Sequence, residues 1–82
     1  MTISNAIKTI ERRLGKTPIK NKYNEYAVNV NGRVLSFYKN GGGNDIVCIN
    51  VRRENDHSDS MTDYSAGSFY DNLSQAIKFG LN

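Results

Sequence analysis

The stretch from Glu54 to Tyr64 is the part of the chain whose residue types and spacing could support specialised chemistry. It reads Glu-Asn-Asp-His-Ser-Asp-Ser-Met-Thr-Asp-Tyr, with three aspartates and a histidine within eight residues. Calcium needs about six to eight oxygen ligands, and an EF-hand loop needs a glycine at its sixth position and a glutamate at its twelfth. Neither residue is in place, so we expect no metal and no other cofactor in this protein.

Two interpretations of this stretch stay open. Asp, Ser and Thr side chains commonly accept hydrogen bonds from nearby backbone amides, which favours a purely structural polar loop. Carboxylates spaced along a loop can also meet the arginines of a basic partner through charge-assisted hydrogen bonds. If the stretch is such an acidic recognition surface, the partner-binding residues are Glu54, Asp56, His57, Asp59, Asp63 and Tyr64.

The other reactive residue types do not form a catalytic constellation. His57 is the only histidine, and Ser58 and Asp56 lie beside it, but adjacency along the chain does not supply the geometry of a triad. Cys48 is the only cysteine, and we expect a buried or half-buried structural thiol because it lies within an apolar run. We therefore predict a protein that has no catalytic residues and is not an enzyme.

Basic residues are concentrated near the N-terminus. Residues 1–22 contain six lysines and arginines against one acidic residue, whereas residues 54–71 contain five acidic residues and no lysine or arginine. Lysines and arginines on one face can neutralise phosphates, and nearby tyrosines can stack on bases. The alternative hypothesis is therefore a nucleic-acid-binding domain whose contacts are Lys8, Arg12, Arg13, Lys16, Lys20 and Lys22.

Apolar spacing predicts helices at both ends of the chain. The first helix is expected from about Ser4 to Leu14, with Thr2 or Ser4 as its cap and Gly15 as its left-handed terminator. The last is expected from about Ser68 to Phe79. Ser68 and Asp71 are its predicted start, because their spacing is related to the capping box, and Gly80 is expected to end it. Four residues are expected to form its apolar face: Phe69, Leu73, Ala76 and Ile77.

Three strands are predicted between the helices. Apolar residues alternate from Tyr26 to Val30, and Asn31-Gly32 is a strong signal for a type I′ hairpin. The chain then returns through 33–38 and, after a glycine-rich turn that lacks the spacing of a phosphate-binding loop, continues through 46–52. In this third strand, we expect Val47, Ile49 and Val51 to share one face.

The predicted fold is a single α+β domain spanning residues 1–82 in the order αβββα. A three-stranded antiparallel meander carries both helices on one face. The opposite face is expected to meet water through Ala27, Asn29, Ser36 and Asn50. A single cysteine, and the absence of a signal peptide or a long apolar run, favour a cytoplasmic protein without membrane contact.

A pattern in the C-terminal half resembles known domains. It is V-R-R…S-D-x-M-T-D-Y…G-S-F, formed by Val51-Arg52-Arg53, the residues from Ser58 to Tyr64, and Gly67-Ser68-Phe69. The pattern lies within about residues 46–79 and resembles small domains of bacteriophages and other mobile elements, including large polyvalent protein associated domains. The resemblance transfers no functional residues. It implies a phage accessory protein in the cytoplasm of a bacterial host, a class that includes inhibitors of bacterial defence such as anti-CRISPR proteins.

The leading hypothesis from sequence is therefore non-catalytic, stoichiometric binding of a host protein or protein complex through the acidic stretch. Binding of nucleic acid through the basic N-terminal region is the alternative. Homodimerisation also stays open, because a three-stranded sheet has two edges that can pair with another chain.

Overall fold

The computed structural model of the protein describes residues 1–54 and 67–81. In chain order it contains α1 (Ile3–Leu14), β1 (Ile19–Lys20), β2 (Glu25–Val30), β3 (Arg33–Lys39), β4 (Ile46–Arg53), β5 (Ser68–Tyr70) and α2 (Leu73–Gln75), which continues as a π-helical segment (Ala76–Gly80). The predicted α+β class is confirmed. None of the helices in the described residues has the length and apolar character needed to cross a membrane.

The sheet has five antiparallel strands, not the three predicted. Its strand order is β1-β2-β3-β4-β5, so every strand pairs with its neighbours in the chain. The three predicted strands are present as β2, β3 and β4, whereas β1 and β5 are additions at the two edges. These edge strands have only two and three residues, too few to show the alternation by which a strand is recognised in sequence.

The caps predicted for α1 are present. The Thr2 hydroxyl accepts a hydrogen bond from the Asn5 amide at 3.2 Å. At the other end, Gly15 has φ +69°, and its amide donates to the Glu11 carbonyl at 3.0 Å. The predicted hairpin between β2 and β3 is also present, with positive φ at both Asn31 and Gly32, as a type I′ turn requires.

The prediction that Val47 shares a face with Ile49 and Val51 is wrong. β4 contains a bulge opposite Phe37, where Ser36 pairs with Asn50 and Tyr38 pairs with Val47, three residues earlier in β4. The extra residue reverses the alternation. Ile49 and Val51 consequently belong to the buried core, but Val47 does not.

The predicted start of the last helix is also wrong, whereas its predicted end at about Phe79, with Gly80 as the terminating residue, lies within one residue of the observed end at Gly80. Ser68–Tyr70 is a strand paired with β4, which leaves Phe69 exposed. The actual cap is Asn72, whose side-chain oxygen accepts from the Gln75 amide at 2.9 Å. Gly80 lies within the π-helical segment and is a close-packing residue, because a Cβ there would lie 2.7 Å from Val51 Cγ2.

One buried cluster joins both helical ends of the chain to one face of the sheet. From the sheet it contains Val28, Leu35, Phe37, Ile49 and Val51. From the helices it contains Ala6 and Ile10 of α1, together with Leu73 of α2 and Ala76, Ile77 and Leu81 beyond it. This packing positions the ends of the strands, where the candidate functional residues lie.

The opposite face of the sheet is not uniformly wet. Ser36 and Asn50 are fully buried there, contrary to the prediction, whereas Asn29 is exposed and Ala27 is half-buried. Gly67 approaches Asn50 so closely that a Cβ on Gly67 would lie 2.6 Å from the Asn50 Oδ1 atom. A polar cluster therefore occupies the centre of this second face.

Candidate nucleic-acid interface

The acidic stretch falls largely outside the part of the chain that the structure describes. Glu54 is described and exposed. Its amide donates to the Gly32 carbonyl at 2.8 Å, and the Asn29 side-chain amide donates to its Oε1 atom at 3.3 Å. The other predicted partner-binding residues lie outside the described residues: Asp56, His57, Asp59, Asp63 and Tyr64.

The structure places all six residues of the basic set at the surface, but not all on one element. Lys8 and Arg12 are exposed on α1, four residues apart. Arg13 donates from Nη1 to the Ser74 hydroxyl at 3.3 Å, which directs its side chain towards α2. The remaining three, Lys16, Lys20 and Lys22, continue past the helix to the edge of the sheet.

These three lysines follow the outer edge of β2, and we call them the lysine row. Lys16 Nζ donates to the carbonyl of Asn29 at 2.8 Å. Lys20 is paired with Tyr26, which precedes Asn29 by three residues in β2. Lys22 follows Lys20 by two residues. Because 16–22 runs antiparallel to β2, the row extends along the free side of the sheet with all three ammonium groups on exposed residues.

Tyrosine rings accompany the lysine row. Lys20 Nζ lies 6.0 Å from the centroid of the Tyr26 ring, and Lys22 Nζ lies 5.2 Å from that of Tyr23. The Tyr26 ring stacks on Phe37 with centroids 5.7 Å apart and planes within 7°. Cations and aromatic rings thus alternate along this edge. Proteins that bind single-stranded nucleic acid use this combination, with the cations contacting phosphates and the rings stacking on bases.

Asn21 holds the turn that carries Lys20, Lys22 and Tyr23. Its side-chain oxygen accepts from the amides of Tyr23 and Glu25 at 2.9 and 3.1 Å. Its backbone amide donates to the Glu25 carbonyl at 2.9 Å, and the turn is completed by Asn24 with φ +64°. Asparagine suits this role, because its side chain replaces a backbone acceptor in tight turns.

A buried ion pair on the second face of the sheet supports the same turn. Arg52 Nη2 donates to Glu25 Oε1 at 3.0 Å, and both side chains are at most 2% exposed. Arg52 Nη1 donates to the Ser36 hydroxyl at 2.9 Å and to Asn50 Oδ1 at 3.3 Å. Asn21 Nδ2 also donates to Glu25 Oε1, at 3.1 Å, so the turn is tied directly to the pair.

The turn also borders a depression of about 350 Å³, which we call the tyrosine pocket. It is lined by Lys20, Asn24, Tyr26, Tyr38, Lys39 and Gly41. Gly41 belongs to the glycine-rich turn between β3 and β4, so that turn contributes to the pocket's wall. Burial raises the pKa of the Tyr38 phenol above its ordinary value of 10.0, the Glu25 carboxylate raises it further, and Arg52 partly offsets both.

The charge of the described residues is strongly one-sided. They contain eleven lysines and arginines against five aspartates and glutamates, and one of those five, Glu25, is buried against Arg52. No group of three or more His, Cys, Asp or Glu side chains suited to holding a metal ion occurs in residues 1–54 and 67–81.

Sequence reasoning missed Glu25, Arg52 and Lys39. A charged residue at the end of an apolar strand is normally solvated, so nothing in the pattern distinguished Glu25 and Arg52 from surface charges. Lys39 lines the same pocket as Lys20 only because β1 pairs with β2 and β2 pairs with β3, which local charge clusters in the sequence cannot show. A comparison of the whole chain with protein-family models, curated proteins and solved structures found no match.

Proposed function

We propose that this protein is a non-catalytic binding module whose ligand is nucleic acid. The observation that carries the proposal is the lysine row, in which Lys20 and Lys22 each lie beside a tyrosine ring at an exposed edge of the sheet. The row overlaps the basic set identified from sequence. The described geometry favours its strand-edge part, Lys16, Lys20 and Lys22, over the helical part.

The physical basis is charge neutralisation. Each ammonium placed against a phosphate releases condensed counterions, which gives sequence-independent affinity that weakens as salt rises. The acidic residue nearest in sequence, Glu25, does not oppose this, because Arg52 pairs with it inside the protein. Around Lys20 and Lys22 the edge therefore presents positive charge to the solvent, whereas at the Lys16 end the exposed Glu54 carboxylate accepts from Asn29, whose carbonyl accepts from Lys16.

The test is the affinity of the purified protein for a fluorescently labelled oligonucleotide, followed by anisotropy at low salt. We expect Lys20→Gln/Lys22→Gln to weaken binding about tenfold or more. Lys8→Gln/Lys78→Gln, which removes the same charge from the helical elements, should change it much less. Lys78 is a fair control because its segment packs on β4, whereas Lys20 lies in β1 at the far edge.

Two results would overturn this proposal. If no nucleic acid binds at low salt, the function is wrong. If both double variants lose affinity equally, binding follows net charge and the lysine row is not the site.

A second candidate function is stoichiometric binding of a host protein through the acidic stretch. Adjacent antiparallel strands are usually joined by about two to five residues, yet twelve residues separate Glu54 from Gly67. Both ends are anchored, Glu54 at the β2–β3 hairpin and Gly67 against Asn50. Such an insertion with several carboxylates suits a basic protein surface, and the phage resemblance makes a bacterial defence complex the partner class to examine.

This second candidate is tested by pull-down of the tagged protein from lysate of a bacterial host, with and without nuclease. A discrete protein complex retained after nuclease treatment, and lost with Asp56→Lys/Asp59→Lys, would support it. Unchanged recovery with that variant would remove the acidic stretch from consideration.

A further inference from the structure

We infer that the tyrosine pocket receives one unstacked base with its phosphate, and therefore that the ligand is single-stranded nucleic acid. This inference rests on the proposed function and specifies its ligand. The pocket opens beside the lysine row and shares Lys20 with it, so a strand following the row would pass the pocket. Its six lining residues combine two lysines, two tyrosines, an asparagine and a glycine.

Tyr26 is suited to act as a stacking platform. It packs nearly parallel to Phe37, which is fully buried in the core, so the ring cannot rotate freely. It is nevertheless half-buried and lines the pocket. A ring fixed in advance loses little conformational entropy when a base stacks on it, and such stacking does not depend on the identity of the base.

The two lysines of the pocket come from different strands. Lys20 is in β1 and Lys39 ends β3, and both are exposed. Lys20 Nζ is 6.0 Å from the Tyr26 centroid, at the outer limit of about 6 Å for a cation–π contact. Little interaction energy between Lys20 and the Tyr26 ring is therefore lost when the Lys20 ammonium turns towards a phosphate. Phosphates of a bound strand can thus be neutralised beside a stacked base.

The size of the pocket suits a single base and is too small for a base pair. At about 350 Å³ it is near the lower end of the range of small-ligand sites, roughly 300–1,000 Å³. A single base can enter it only after leaving its stack and its pairing partner, which costs free energy in a duplex and little in a single strand. A preference for single strands follows from this difference.

The experiment measures binding of three probes to the full chain: a labelled thymidine 15-mer, the same strand annealed to its complement, and thymidine monophosphate as a competitor. Wild type should bind the single strand at least tenfold more tightly than the duplex. Tyr26→Leu should reduce single-strand affinity about tenfold and leave duplex affinity unchanged. Tyr26→Phe, which keeps the ring, should retain most of the single-strand affinity.

The outcomes separate this inference from the proposed function. If Tyr26→Leu is folded by circular dichroism and binds the single strand like wild type, the pocket is not a base site, while loss with Lys20→Gln/Lys22→Gln would still support nucleic-acid binding. Equal affinity for single strand and duplex overturns the inference in the same way. If the monophosphate competes as well per nucleotide as the strand, the ligand is a free nucleotide. Absence of all binding removes both proposals.

Discussion

At the scale of the residue, Cys48 shows how an irregularity in a strand changes the solvent exposure of a side chain. Its position in an apolar run predicted a buried or half-buried thiol, yet the residue is exposed. It is one of the two β4 residues, with Ile49, that lie opposite Phe37 at the bulge, and its φ is +57°. Residues other than glycine, asparagine and aspartate rarely adopt this left-handed conformation, which costs them about 1–2 kcal/mol. The backbone at Cys48 is therefore strained.

This strain predicts opposite effects for two substitutions. Cys48→Gly should raise the free energy of unfolding by about 0.5–1 kcal/mol, since glycine adopts positive φ without steric cost but loses more entropy on folding. Cys48→Val should lower it, because a β-branched residue fits this conformation worst. Urea denaturation of the three proteins measures the order, and a valine variant as stable as the glycine variant would contradict the account.

The phenol of Tyr38 should make stability depend on pH in the alkaline range. Burial raises its pKa in the folded protein above the ordinary value of 10.0, whereas in the unfolded chain it titrates near that value. The folded state thus holds the proton more tightly. The stabilisation is complete below about pH 10 and is lost as the pH rises through the folded-state pKa.

The measurement compares wild type with Tyr38→Phe by urea unfolding from below to above pH 10. The stability advantage of wild type over the variant should shrink as the pH rises. A constant difference would show that Tyr38 has no raised pKa.

At the scale of the element, the β1–β2 turn depends on the buried pair of Glu25 and Arg52. Glu25 Oε1 accepts from both Arg52 and Asn21, whereas Glu25 Oε2 has no hydrogen-bond partner among the described residues. A buried carboxylate satisfied on one oxygen relies on its cation for stability. The pair therefore holds in place the turn that carries Lys20 and Lys22.

Removing the charge of Arg52 alone should consequently lower the free energy of unfolding more than removing the charges of both Glu25 and Arg52. Arg52→Met is expected to cost about 3–5 kcal/mol, because it leaves Glu25 buried and uncompensated. Glu25→Leu/Arg52→Met should recover a large part of that loss. Thermal unfolding of both variants is the measurement, and a double variant no more stable than Arg52→Met would show that the ion pair is not the cause.

The predictability of the elements follows from their length and local signals. α1 and the β2–β3 hairpin were predicted from sequence because each carries a terminal signal, Gly15 and Asn31-Gly32, in addition to its periodicity. The edge strands β1 and β5 were not, since their pairing depends on partners distant in the chain. The same applies to the site: the lysines were identified from local charge, but the pocket and the buried pair exist only after the strands have paired.

At the scale of the whole molecule, the sheet sets its two edge strands apart. β1 and β5 lie at opposite edges, about 19 Å apart at the usual strand spacing. The lysine row follows the β1 edge, whereas the acidic stretch joins β4 to β5. The described residues contain eleven lysines and arginines against five aspartates and glutamates, and such an excess of positive charge attracts a polyanion before contact. Dimerisation through an edge strand stays a prediction.

The dependence of single-strand affinity on salt tests the central claim most directly. In a plot of log affinity against log salt concentration, each phosphate contact contributes about 0.7 to the slope. Lys20→Gln/Lys22→Gln should therefore have a slope about 1.4 smaller in magnitude than wild type, and Lys8→Gln/Lys78→Gln should keep the wild-type slope. A wild-type affinity independent of salt, or a slope unchanged by loss of Lys20 and Lys22, would contradict binding of nucleic acid through the lysine row.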